Sequence, residues 1–136
     1  MKNTKKLIIF DLDGTLLDTS EGILHCYHKT ASMLNLKKNS VENDSIVIGG
    51  PLSDGFRTLY DIPDEETLAK AIDIYRNLYA NEGITKFSAY NGIDTALSKL
   101  KSDGYQLGVA TLKLEEYAKS MLKNAELAKY FDIIHG

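Results

Sequence analysis

Two carboxylates one residue apart, Asp11 and Asp13, follow directly on the apolar run Leu7-Ile8-Ile9-Phe10, and Gly14 and Thr15 come next. On an extended segment, side chains two apart project to the same side, so the pair can converge on one point. Carboxylates that close repel unless a cation or a proton separates them. A hard divalent ion bound by oxygens, such as Mg²⁺, meets that need. Gly14 allows the backbone to turn sharply after the pair. An EF-hand loop starting at Asp11 would need Gly at its sixth position and Glu at its twelfth. Leu16 and Gly22 stand there, which excludes that reading. A plain surface turn uses the same residue types but seldom follows a fully apolar strand so abruptly.

The elements that must position this pair are legible in the pattern. Leu7–Phe10 is short, apolar and rich in β-branched or aromatic residues, which reads as a strand buried on both faces, as in a parallel sheet. Open α/β sheets place ligands at the carboxyl ends of such strands. From about Ser20 to Gly83 the spacing turns helical: Ile23, Tyr27, Ala31 and Leu34, then Leu52, Phe56 and Leu59 with Pro51 placed at the first helical position, then Leu68, Ile72, Tyr75 and Tyr79. Pro63-Asp64-Glu65-Glu66 makes an acidic helix start. Beyond Gly83, Asn91 is placed to cap a helix carrying Ile93, Leu97 and Leu100, closed by Gly104. Tyr105–Thr111 reads as a second strand, Ala118, Met121, Leu122 and Ala125 as a helix, and Phe131–Ile134 as a third strand.

Composition narrows the classes. The chain has 136 residues, enough for roughly one domain with a sizeable core. Its net charge of −3 argues against a broad nucleic-acid-binding surface. Apolar residues at 43% and charged residues at 26% are ordinary globular values. The single cysteine, Cys26, excludes an internal disulfide and fits a reducing compartment. No apolar run approaches the roughly 18 residues that span a bilayer. The basic start Met1–Lys6 before Leu7–Phe10 superficially resembles a secretory leader, but Asp11 and Asp13 end the apolar run too soon. The expectation is a cytoplasmic protein that binds neither nucleic acid nor membrane.

The stretch Leu7-Ile8-Ile9-Phe10-Asp11-Leu12-Asp13-Gly14-Thr15-Leu16-Leu17-Asp18-Thr19 resembles the first signature of the haloacid dehalogenase-like phosphohydrolases. More narrowly, the chain is similar to the phosphoglycolate phosphatase-like members, which carry a helical cap after the first strand. The likeness extends through the helical insert, the loop Ile48-Gly49-Gly50-Pro51-Leu52 and the second strand ending Val109-Ala110-Thr111. It implies an α/β fold: an incomplete Rossmann-like parallel sheet of about three strands, interrupted by an all-helical cap after the first strand. Residues 1–19 and 83–136 are then the core and residues 20–82 the cap, which closes over the site.

The resemblance also implies roles. Asp11 matches the nucleophile that forms an aspartyl-phosphate, and Asp13 the general acid and base. Mg²⁺ would sit between the Asp11 carboxylate, the Asp13 backbone carbonyl and the phosphate. Thr111 matches the hydroxyl that binds the phosphoryl group, backbone N–H groups of Leu12, Gly14 and Thr15 offer further donors, and Lys113 is a phosphate contact beside an alternative reading as an exposed lysine at a helix entry. Leu112-Lys113-Leu114 departs from the Ser-Lys-Pro common in such proteins. The substrate implied is a small phosphorylated metabolite.

The resembling proteins also carry, beyond a third strand, a lysine and an acidic pair for which this chain has no counterpart. The expectation is therefore a C-terminally truncated form, with one edge of the first strand unpaired and available for self-association. A phosphomutase, a phosphoacceptor domain and a non-catalytic fragment stay open as alternatives. Arg57 reads as a solvated helix residue with a second reading as an anion contact. His25 and His28, three apart beside Cys26, read as packing residues ahead of metal ligands.

Overall fold

The computed structural model describes residues 6–136, so the basic start Met1–Lys5 lies outside the described residues. Two compact units are present, one formed by Met1–Asp18 with Ser88–Gly136 and the other by Thr19–Phe87.

The first unit is built on three parallel strands in the order β1-β4-β5: β1 (Leu7–Phe10), β4 (Gln106–Ala110) and β5 (Ile133–His135). Phe10 stands opposite Val109, and Ala110 opposite His135, so the carboxyl ends of all three strands lie at one edge. The helices α4 (Ile93–Ser102) and α5 (Glu115–Asn124) make the connections. They contribute Leu97, Ala118, Met121 and Leu122 to a core shared with Leu107 and Val109. Parallel strands joined by helices give the α/β class expected from the sequence.

β1 departs from expectation. It is not buried on both faces: Leu7 is 46% and Ile9 60% exposed, while Ile8 and Phe10 are half-buried. Ile9, Gly108 and Ile133 fall in one row of the register. Gly108 has no side chain to fill the space between its neighbours, and Ile133 is 55% exposed as well. The strand is apolar on both sides and half-covered on one.

Other local differences have equally local causes. Gly92, with φ 84°, takes the cap position of α4 in place of Asn91, because its left-handed backbone already directs the chain into the first turn. Pro51 caps α2 (Leu52–Leu59) from an extended conformation and so lies just before the helix. The third strand starts at Ile133, since Ala128–Tyr130 coils into a 3₁₀ turn. A two-residue antiparallel ladder escaped the pattern: β2 (Leu17–Asp18) pairs with β3 (Ser88–Ala89), where the chain leaves and re-enters this unit. Two residues carry no periodicity to read.

The second unit is helical: α1 (Ser20–Met33), α2 and α3 (Glu65–Asn81). Its core is aromatic, with Tyr27 4.7 Å from Phe56 and 4.9 Å from Tyr75 between ring centroids. Asp64 caps α3, its carboxylate accepting the Thr67 N–H at 2.7 Å, and Glu65 and Glu66 occupy the first turn as their charge favours. Among the described residues, no helix is long and apolar enough to cross a membrane.

Candidate active site

The loop after β1 is pinned from below and open above. Leu12, Leu16 and Leu17 are fully buried, while Asp11, Gly14 and Thr15 are exposed. Gly14 has φ 79°, the left-handed conformation that a β-carbon would strain. The turn closes through the Leu12 carbonyl, which accepts the N–H of Thr15 at 3.2 Å and those of Leu16 and Leu17 at 3.1 Å. Gly14 N–H donates to Leu17 at 2.9 Å, and Leu12 N–H to the Asp11 carboxylate at 2.8 Å. The loop thus holds the N–H groups of Leu12, Gly14 and Thr15 within itself. Asp11 stands at the strand's carboxyl end, with its carboxylate oriented by that last bond. Asp13 is only 9% exposed.

At the neighbouring strand end, Thr111 N–H donates to the His135 carbonyl at 3.0 Å, extending the β4–β5 ladder one step. The Thr111 hydroxyl accepts the Lys113 N–H at 3.1 Å and closes the turn into α5. Leu112 and Leu114 face outward, 72% and 59% exposed. Lys113 therefore points in: its ammonium lies 3.3 Å from Asp13 Oδ1, the two side chains 8% and 7% exposed. The reading of Lys113 as an exposed lysine is overturned. A buried ammonium needs a counter-charge, and Asp13 provides one. The Leu-Lys-Leu alternation by itself signals the reverse, leucines inside and lysine in solvent, so the pattern carried no sign of this inward turn.

The remaining candidates lie in the helical unit with partners of their own. His25 Nε2 meets Glu82 at 2.7 Å, and Lys29 Nζ reaches the other oxygen of Glu82 at 2.7 Å. The hydrogen bonds from Lys29 and then His25 hold the Glu82 carboxyl below the usual glutamate range. His28 lies between the Tyr60 hydroxyl and Asp44, at 3.2 Å from the latter. Burial first, and Asp44 second, pushes the Tyr60 phenol upward. Arg57 pairs with Glu65 on the surface. Gly49 turns with φ 83° ahead of Gly50 and Pro51.

Among the described residues, no three or more His, Cys, Asp or Glu side chains cluster as a metal site. Asp11 and Asp13 supply hard oxygen donors, and Mg²⁺ is commonly held by one or two carboxylates with waters and substrate phosphate completing its shell. The donor chemistry fits that ion.

Residues 8–136 match the family described as haloacid dehalogenase-like hydrolase. A phosphoglycolate phosphatase from Aquifex aeolicus is 33% identical over 132 residues, covering 96% of this chain and 60% of the relative. A predicted phosphatase from Clostridium acetobutylicum superposes with a TM-score of 0.82 at 37% identity, over 97% of this chain and 61% of the other. A haloacid dehalogenase-like family hydrolase from Streptococcus pneumoniae gives 0.84 at 32% identity, over 97% and 61%. The chain spans about 60% of the length of the curated relatives first matched.

Proposed function

The chain belongs to the haloacid dehalogenase-like hydrolases, and from that premise we propose that it hydrolyses a small phosphomonoester through a covalent aspartyl-phosphate on Asp11. The observation that carries this reading is the placement of Asp11 and Asp13 at the carboxyl end of β1, with Thr111 and Lys113 at the carboxyl end of the strand paired to it.

Asp11 attacks phosphorus as the bond to the leaving oxygen breaks, and a proton on Asp13 passes to that oxygen, releasing an alcohol. Water then attacks the aspartyl-phosphate, Asp13 takes its proton, and inorganic phosphate leaves Asp11. The Thr111 hydroxyl, the Leu12 N–H and the Lys113 ammonium are the proposed phosphoryl contacts, whereas the N–H groups of Gly14 and Thr15 are taken up by the Leu17 and Leu12 carbonyls. An incoming phosphoryl oxygen would take the Leu12 N–H from Asp11, whose oriented oxygen is then the attacking atom. Mg²⁺ held by the Asp11 carboxylate and the Asp13 backbone carbonyl would offset the repulsion between an anionic nucleophile and an anionic substrate, and leaves the Asp13 carboxyl for proton transfer.

In this reading residues 1–19 and 83–136 form the catalytic core and residues 20–82 a helical cap. A single, buried cysteine, Cys26, suits a reducing, cytoplasmic setting. The β1 edge, where Leu7 and Ile9 are exposed, is the proposed surface for self-association. Release of phosphate from p-nitrophenyl phosphate, with Mg²⁺ and with chelator, tests the function. Metal-dependent turnover that vanishes in Asp11→Asn supports it, and turnover retained in that variant removes Asp11 from the nucleophile's role.

A further inference from the structure

The Asp13–Lys113 ion pair, 3.3 Å from Nζ to Oδ1, lies inside the unit that carries Asp11, and both side chains are more than nine-tenths buried. Water therefore competes little for either charge, and such a pair keeps its geometry more strictly than one on the surface. The backbone fixes both partners. The N–H groups of Gly14 and Thr15 close the turn that holds Asp13, and the Thr111 hydroxyl accepts the Lys113 N–H at 3.1 Å. An ammonium has three donors and no acceptor. The Asp13 oxygen that faces it, Oδ1, therefore accepts whether the carboxyl is ionised or protonated, and a proton on Asp13 belongs on Oδ2.

We propose that Lys113 is a positioning residue for Asp13: by holding Oδ1 it assigns proton transfer to Oδ2 and fixes the direction that oxygen faces. The proposal rests on the reading of Asp13 as acid and base. It goes beyond a phosphoryl contact, because the ammonium acts through the carboxyl. In the first step the bond from Asp11 to phosphorus forms, the bond to the leaving oxygen breaks, and the proton on Oδ2 passes to that oxygen. In the second, water bonds to phosphorus, the bond to Asp11 breaks, and a proton of that water goes to Oδ2. The ammonium keeps its own protons throughout. A cation beside a carboxyl opposes its protonation, and the anionic phosphoryl group brought by the substrate offsets that charge. Proton transfer needs hydrogen-bond reach, so a carboxyl turned away from the reacting oxygen loses much of its effect.

The test varies the leaving group, on the full chain with Mg²⁺ present. The alkoxide of ethyl phosphate needs a proton in order to leave, whereas the phenolate of p-nitrophenyl phosphate leaves without one. Steady-state kcat/KM covers the steps up to loss of the leaving group. It is compared on both esters for the wild type, Lys113→Met, Asp13→Asn, the double variant and the surface control Lys119→Met. Lys113→Met is expected to lose at least about tenfold more on ethyl phosphate than on the nitrophenyl ester. Asp13→Asn is expected to show the same selectivity, the double variant to be no more selective than Asp13→Asn, and Lys119→Met to follow the wild type. A loss in Lys113→Met that is equal on the two esters, or absent, or a double variant more selective than Asp13→Asn, overturns the positioning role alone. Asp13→Asn without that selectivity overturns it together with the acid reading. A wild type that turns over neither ester overturns it together with the proposed function. Should Lys113→Met fail to fold, Lys113→Arg, which keeps the charge and displaces the donor, decides by the same ratio: selective loss on ethyl phosphate supports the proposal, and equal or no loss overturns it.

Discussion

The Thr111 hydroxyl accepts the Lys113 N–H at 3.1 Å, so a single side chain at the end of β4 closes the turn that aims Lys113 at Asp13. Thr111→Val keeps the shape and removes the acceptor. The expected loss is about 1 kcal/mol of stability, the usual net worth of one such bond, together with weaker binding of inorganic phosphate. Thr111→Ser retains the hydroxyl and should restore most of both. Urea unfolding and phosphate titration of the two variants check this.

Close packing in the helical unit makes a sharper demand. A β-carbon on Gly22 of α1 would overlap the Gly83 carbonyl oxygen, whereas one on Gly50 would meet only the Val47 carbonyl oxygen at 3.7 Å. Gly22→Ala should therefore cost about 1–3 kcal/mol through overpacking, while Gly50→Ala should be nearly neutral. Equal midpoints for the two variants in urea would contradict the packing described.

Two helices end on a left-handed residue that is not glycine. Glu126 (φ 61°) follows α5, with Leu127 N–H donating to the Leu122 carbonyl at 2.8 Å and Glu126 N–H to Lys123 at 3.0 Å. Asn35 (φ 52°) does the same after α1, where Leu36 N–H reaches Ala31 at 2.9 Å. Glycine suits that position, and Asn tolerates it better than Glu. Glu126→Gly should raise stability by about 1 kcal/mol and Asn35→Gly by less. The ranking of melting temperatures tests it.

Acid should dissolve one link between α1 and the end of α3. Lys29, then His25, hold the folded-state Glu82 carboxyl below its ordinary range. A depressed carboxyl contributes stability above its unfolded pKa, about 4.3, and loses it as pH falls through the lower folded value. The stability gap between wild type and Glu82→Gln should be open at pH 7 and close toward pH 3. It should also narrow in high salt, because the pair is exposed. Urea midpoints across that range check the sign, and a gap that widens in acid would contradict it.

The parts of this molecule that repeat or that need a special residue were readable in the sequence. The apolar run Leu7–Phe10, the helical spacing of Tyr27, Phe56 and Tyr75, and the glycine at position 14 each announce one local conformation. Gly104 likewise ends α4 in a left-handed turn, with Tyr105 N–H returning to the Leu100 carbonyl at 3.1 Å. Relations that depend on what lies opposite were not readable. Whether β1 is covered depends on Gly108 and Ile133, more than a hundred residues downstream of Leu7 for the latter. Asp13 and Lys113 are a hundred residues apart, and the Leu-Lys-Leu alternation by itself would turn the lysine outward, so the pair was not readable. The ladder of Leu17–Asp18 with Ser88–Ala89 depends on how the helical unit returns the chain.

The central claim is that Asp11 captures phosphorus. Beryllofluoride added with Mg²⁺ mimics the aspartyl-phosphate, and ¹⁹F NMR of the full chain reports whether it binds. The account predicts bound fluoride resonances in the wild type that require Mg²⁺ and disappear in Asp11→Asn. Bound resonances that persist in Asp11→Asn, or a wild-type spectrum containing only free beryllofluoride at saturating Mg²⁺, would contradict it.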